Sequence, residues 1–97
     1  MENKDLMQDL IEKWGEEKQL DMIANRCLQL AMSIEDYKKA NFKEDHQQYD
    51  STYNSVCDKI ADMKLMIEQA EFLFNTNTID QFYEVRTHYL KEALNEF

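Results

Sequence analysis

The chain has one glycine, no proline and two cysteines in 97 residues. A β-sandwich or barrel needs a turn residue every few positions, so this scarcity excludes those architectures and points to helices. Basic side chains are few beside acidic ones, 11 against 20, for a net charge of −9. A polyanion would be repelled by such a surface, which argues against direct nucleic-acid binding. No run of 18 apolar residues occurs, and the opening MENKDLMQDLIEKW lacks an apolar stretch of signal-peptide length. A soluble, cytoplasmic protein without membrane contact is the expectation. Cys27 and Cys57 match no metal spacing and fall inside partly apolar helical patterns. Both are expected to be reduced, as small core residues rather than a disulfide.

Against these absences stand 43% apolar and 11% aromatic residues, too many for a chain that cannot collapse. The length suits a single domain over residues 1–97, burying roughly 60–65% of its surface on folding. Four helices are legible. The first runs from about Lys4 to Trp14 with Leu6, Leu10, Ile11 and Trp14 as its apolar stripe, and Gly15 follows as a C-terminal stop or kink. The second covers about Glu16 to Lys39. Leu20, Ile23, Cys27, Leu30, Ile34 and Tyr37 recur at steps of three and four, with acids at its start and lysines at its end, as the helix dipole favours. A polar connection from Ala40 to His46 follows.

The third helix, from near Gln47 to near Phe74, carries the most regular stripe: Tyr53, Val56, Ile60, Met63, Ile67, Ala70 and Phe74 form a seam for antiparallel packing. Asn75-Thr76-Asn77 reads as a loop, and Thr78-Ile79-Asp80-Gln81 has the form of a capping box. The last helix places Ile79, Phe82, Tyr83, Tyr89, Leu90 and Leu94 on its apolar side. The methionines, among them Met22, Met32, Met63 and Met66, suit core filling. Four helices bury little per chain, and Phe42, Phe72 and Phe74 add surface one small bundle cannot cover. The expected architecture is an all-α four-helix bundle completed by dimerisation or a larger homo-oligomer.

Two segments carry a family resemblance. Trp14-Gly15-Glu16-Glu17-Lys18-Gln19-Leu20-Asp21-Met22, read with Val56-Cys57-Asp58-Lys59-Ile60-Ala61-Asp62-Met63-Lys64-Leu65-Met66-Ile67-Glu68-Gln69, resembles the MazG-like nucleotide pyrophosphohydrolases of bacteria and bacteriophages. The resemblance spans roughly residues 10 to 95. It implies a helical bundle that assembles as dimers or tetramers and cleaves nucleoside triphosphates to monophosphate and pyrophosphate with Mg²⁺. The family's metal cage rests on E-E-x-x-E on one helix and E-x-x-D on the next, because residues three and four apart share a helix face. The ion bridges phosphate oxygens and helps generate a hydroxide nucleophile.

This chain departs from that pattern at its centre. Asn25, Arg26 and Gln29 stand at the E-E-x-x-E positions and Lys59 at the first position of E-x-x-D; Asp62 alone remains, with Asp58 one residue upstream of the lost glutamate. One aspartate against Arg26 and Lys59 leaves the five positions at +1, where the family has −5. A divalent ion about 5 Å from Arg26 would meet at most about 7 kcal/mol of repulsion at an effective dielectric near 20. Metal binding in the family manner is therefore expected to be lost, with no confident catalytic residue and no cofactor, or Mg²⁺ if the chain is active after all.

Each candidate has more than one reading. Asp58 and Asp62 could hold a metal, or pair with Arg26 and Lys59 across the bundle. Arg26 and Lys59, with Gln19 and Gln29, could bind nucleotide phosphates directly. Asn25 and Gln29 could instead fill a formerly charged cavity. Trp14 suits a core anchor better than a base-stacking platform. His46 and His88 read as isolated surface residues, and Arg86 and Lys91 as partners for acidic neighbours. From Leu65 to Val85 there are four acids and no Lys or Arg. That face is either solvated or a dock for a basic protein surface.

Three functions compete: a degenerate MazG-like binding or regulatory protein, for example a phage-type acidic inhibitor of a host protein; a metal-dependent pyrophosphohydrolase with a rearranged site; and a purely structural chain.

Overall fold

The computed structural model describes residues 4–40 and 46–95. They form four helices and, among the described residues, no strand: α1 (Lys4–Trp14), α2 (Glu16–Lys39), α3 (His46–Leu73) and α4 (Thr76–Asn95). α1 and α2 are separated by Gly15 alone, whose φ of 82° is a conformation L side chains resist. Its N–H donates to the Ile11 carbonyl at 2.8 Å and its carbonyl accepts from Gln19 N–H at 3.2 Å. The same residue thus closes one helix and opens the next. Glu16 and Glu17 sit in the first turn of α2, and Lys38 and Lys39 in its last.

The principal packing is between α2 and α3, while α1 lies against both. Tyr37 meets Tyr49 and Tyr53 near the α2–α3 connection, and Arg26 meets Asp62 further along, so the two helices run antiparallel. Seven residues back along α2 from Arg26 is Gln19, and seven forward along α3 from Asp62 is Gln69. The register sets these two level, and both are fully buried. Gln19 Nε2 donates to the Leu10 carbonyl at 3.2 Å, tying α2 to α1. Gln19 Oε1 and both polar side-chain atoms of Gln69 find no hydrogen-bond partner among the described residues.

Several expectations need correction. The buried residue of α1 is Met7, and Leu6 is half exposed. The stripe that faces α2 and α3 is Met7, Leu10, Ile11, and Leu6 lies about 100° around the helix from Met7. Cys27 and Cys57 are not core residues: both are free thiols on exposed positions. Met66 is buried, whereas Met32 is exposed. Trp14 is partly exposed rather than a core anchor, with the Lys13 and Lys18 ammonium groups 5.4 and 5.5 Å from its ring centre. His46 opens α3 instead of ending the connection. Ala40 caps the end of α2, its N–H donating to the Asp36 and Tyr37 carbonyls, and residues 41–45, with Phe42, lie outside the described residues.

The cap of α4 is also relocated. Asn75 Oδ1 accepts the Thr78 backbone N–H at 3.1 Å, the geometry of an N-cap side chain, so α4 begins at Thr76 and Thr78 sits within its first turn. Asparagine and threonine both cap well, and Asn75, two residues after α3 ends at Leu73, takes the place first.

Two outcomes follow for stability. Gln69→Leu removes two unsatisfied polar atoms at similar volume and should raise the unfolding free energy by about 1–2 kcal/mol, whereas Gln19→Leu breaks the tie to Leu10 and should lower it by about 1 kcal/mol. Denaturant titration followed by circular dichroism separates the two signs. Asn75→Ala should cost about 1 kcal/mol of local helix stability, read as faster amide exchange in the first turn of α4, with Thr78→Ala changing it by less than half as much.

Candidate functional site

The α2–α3 register brings the substituted motif positions together. Gln29 lies four residues from Asn25 and three from Arg26 on α2, one turn from each, so it neighbours both. Lys59 and Asp62 are three apart on α3. Arg26 Nε lies 3.8 Å from Asp62 Oδ2, an ion pair between the helices with each side chain about one third exposed. The Arg26 guanidinium also donates to Asn25 Oδ1 at 2.8 Å, and the same oxygen accepts Gln29 Nε2 at 2.8 Å. Lys59 Nζ pairs with Asp58 Oδ2 at 3.5 Å, its own chain neighbour. Asp58 is well exposed and therefore points outward, away from the place Asp62 shares with Arg26.

A shallow cleft of about 330 Å³ adjoins this cluster, lined by Gln29, Met32, Ser33, Asp36, Ser55 and Lys59. Its polar groups are mixed in sign, with Asp36 on the α2 wall and Lys59 on the α3 wall. Gln19 is not part of this open face, being sealed between helices against Leu10.

Mg²⁺ needs several oxygen donors converging at about 2.1 Å. Among the described residues no three His, Cys, Asp or Glu side chains come together as such a set. Of the two aspartates, Asp62 faces a guanidinium and Asp58 an ammonium. The residues present do not fit the ion the family resemblance implies. What the arrangement offers instead is Arg26 held by an aspartate and an asparagine, next to an amide and an ammonium. Such a surface is suited to hydrogen bonding with an oxygen-rich partner.

His88 Nε2 sits 3.1 Å from Glu92 Oε1, one turn on along the same helix. His46 is exposed at the start of α3. Of the four acids between Leu65 and Val85, Glu68 and Glu71 are half-buried while Asp80 and Glu84 are exposed.

Sequence reasoning missed one constellation. Tyr37 stacks obliquely on Tyr49 and Tyr53, with ring centres 5.3 and 6.2 Å apart, and the Tyr37 and Tyr49 hydroxyls share a hydrogen bond at 2.8 Å. Beside them Tyr37, Tyr53, Val56, Cys57 and Ile60 enclose a hollow of about 230 Å³. The available signal was that Tyr37 ends the α2 stripe and Tyr53 begins the α3 seam, so a helical hairpin must bring them together.

The chain matches no protein-family model, no curated protein and no solved structure. No described helix is long and apolar enough to cross a membrane.

The hydrogen bond to Tyr37, with weaker contributions from desolvation and nearby Tyr37, Tyr53 and Asp50 charge, raises the Tyr49 phenol above its ordinary value. The folded state then holds the proton more tightly than the unfolded one. This contribution to stability is complete below the ordinary tyrosine pKa of about 10 and is lost as pH rises through the elevated value. Absorbance titration near 295 nm should show one late-ionising tyrosine that returns to the ordinary range in Tyr37→Phe.

Proposed function

We propose that this chain is a degenerate MazG-like protein acting as a binding or regulatory protein without metal-dependent catalysis. The observation that carries this reading is the Arg26–Asp62 pair. The one acid left at the motif positions is engaged by a cation from the facing helix. A dication would have to displace that guanidinium, against repulsion of at most about 7 kcal/mol, and would find only monodentate help from an exposed Asp58 already beside Lys59. The rearranged-site pyrophosphohydrolase, in which Asp58 and Asp62, with or without Glu68 or acids of a neighbouring subunit, hold the metal, has less support for the same reason.

The scaffold is retained while the cage is replaced, which is the pattern of a protein kept for what it binds. Its acidity, −9 over 97 residues, favours a basic protein partner over any polyanion. A host protein surface that ordinarily receives nucleic acid has the fitting chemistry, in the manner of an acidic inhibitor carried by a phage.

The test is pyrophosphate release from the common ribo- and deoxyribonucleoside triphosphates with Mg²⁺ or Mn²⁺, alongside calorimetric titration of the metal. The expected result is release no faster than the protein-free control and no saturable metal binding. Turnover that disappears in Asp62→Ala would overturn the proposal.

A further inference from the structure

We infer that α4 is a hinged lid. Besides the extended position described above, it folds back at the Phe74–Asn75 turn and lies antiparallel along α3 of its own chain, closing the apolar groove between α2 and α3. In the extended position α4 is amphipathic yet buries almost nothing. Phe82 is 61% exposed, Tyr89 58% and Leu94 77%, and of the apolar residues of α4 Ile79 alone is half-buried. Among the described residues α4 packs against α3 and reaches neither α1 nor α2. The groove is open as well. It is an apolar hollow of about 400 Å³ lined by Leu30, Ile60, Met63 and Ile67, with Lys64 and Glu68 at its rim.

A mirror relation about the turn identifies what covers it. Ala70 stands four residues before Phe74, and Ile79 four after Asn75. Ile67 and Phe82 stand seven away on either side, Ile60 and Tyr89 fourteen, Val56 and Ala93 eighteen. Every residue adds the same rise in both helices, so equal counts put these partners level once the hairpin closes. Steps of three and four run in the same order away from the turn on both helices, which keeps the two stripes facing one another along their length. The one polar member is Arg86, eleven residues out and level with Met63. Its methylene stem can lie on apolar surface while the guanidinium reaches water. Tyr83, Leu90 and Leu94 widen the α4 stripe on one side, as suits a helix that touches two others in a groove. Equal spacing from a shared turn has meaning only for helices which that turn joins; a helix of another protein has no reason to obey it.

The dimensions agree. The chain exposes 7908 Å², where a compact chain of 11.7 kDa would expose about 5,900 Å². The radius of gyration is 17.2 Å, against about 12.5 Å for a compact chain of this length. Laying the 20-residue α4 along α3 moves both toward the compact values. The two residues between Leu73 and Thr76 are enough for an antiparallel helix pair, and a turn of that size can absorb the motion in a few backbone angles. The closed position makes α4 an autoinhibitory cover, since whatever uses the groove must first displace it. This holds whatever the Arg26 face binds, because Arg26 and Asp62 do not line the groove.

The experiment uses the full chain with Cys27→Ser and Glu92→Cys, spin-labelled at Cys57 and position 92. These two sites stand seventeen residues either side of the turn and both are exposed. Pulsed electron spin resonance should give a short separation of about 10–20 Å from the closed position, where helix axes lie about 8–10 Å apart. A longer separation belongs to the extended position, since each label is about 25 Å from the turn along its helix. The short component should persist when labelled chains are diluted in excess unlabelled protein. Phe82→Glu, at a side chain open to water in the extended position, should reduce the short component by roughly tenfold or more, because closure would bury an unpaired charge against Ile67. Helix content by circular dichroism should stay the same. A long separation alone, or a short one that disappears on dilution with unlabelled chains, would overturn the inference; the second result would assign the covering helix to another copy.

Discussion

Everything in this molecule is hung on the antiparallel contact between α2 and α3. It is the one long helix–helix interface among the described residues, and its register is fixed at both ends and in the middle. Tyr37 against Tyr49 and Tyr53 closes one end, Arg26 against Asp62 marks the centre, and Gln19 level with Gln69 closes the other. A slip of one residue on either helix would turn the stripe by about 100° and separate all three at once. α1 is held to this pair by Met7 and by the Gln19 amide, and α4 extends from its far end.

The register explains why the substitutions on the two helices must be read together. Asn25, Arg26 and Gln29 alone would be an unremarked polar patch on α2. Once Asp62 is brought to 3.8 Å from Arg26, the same residues become a closed charge cluster in which anion and cation satisfy one another. At one third exposure such a pair adds little to stability, of the order of 1 kcal/mol or less. Its weight lies elsewhere: it fixes the sign of the potential where a metal-dependent site would need it negative. Removing Arg26 would free the acid without forming a cage, because the neighbouring groups are amides and an ammonium.

The spans of α1, α2 and α3 were legible in the sequence to within a residue or two, because apolar steps of three and four and the single glycine mark them directly, while α4 starts three residues before the expected cap places it. Which of the apolar residues are covered was not. Periodicity identifies the stripe that a helix offers; it says nothing about how many neighbours take it. Cys27 and Ile60 share stripes with half-buried residues and are still exposed, since a single facing helix covers only part of each stripe. The displaced α4 cap has a local cause: two good capping residues lie three apart, and the turn after Leu73 selects the first. The candidate site was legible as a set of substitutions, but the pairing within it was not. Asp58 and Asp62 are interchangeable on paper, and only the direction each takes from α3 assigns one to Lys59 and the other to Arg26.

The two unfinished features of the structure, the polar cluster and the uncovered apolar faces, lie on neighbouring faces of one helix pair. Lys59 and Ile60 are adjacent in sequence and about 100° apart around α3, so the cleft beside Lys59 and the groove beside Ile60 flank each other. Apolar area of the size left open here has a strong drive to be covered, at roughly 25 cal/mol per Å². The charge of −9 opposes association of like chains, but that repulsion is screened by salt over about 10 Å at moderate ionic strength. Apolar burial and like-charge repulsion therefore act against one another on these faces, and salt shifts the balance between them.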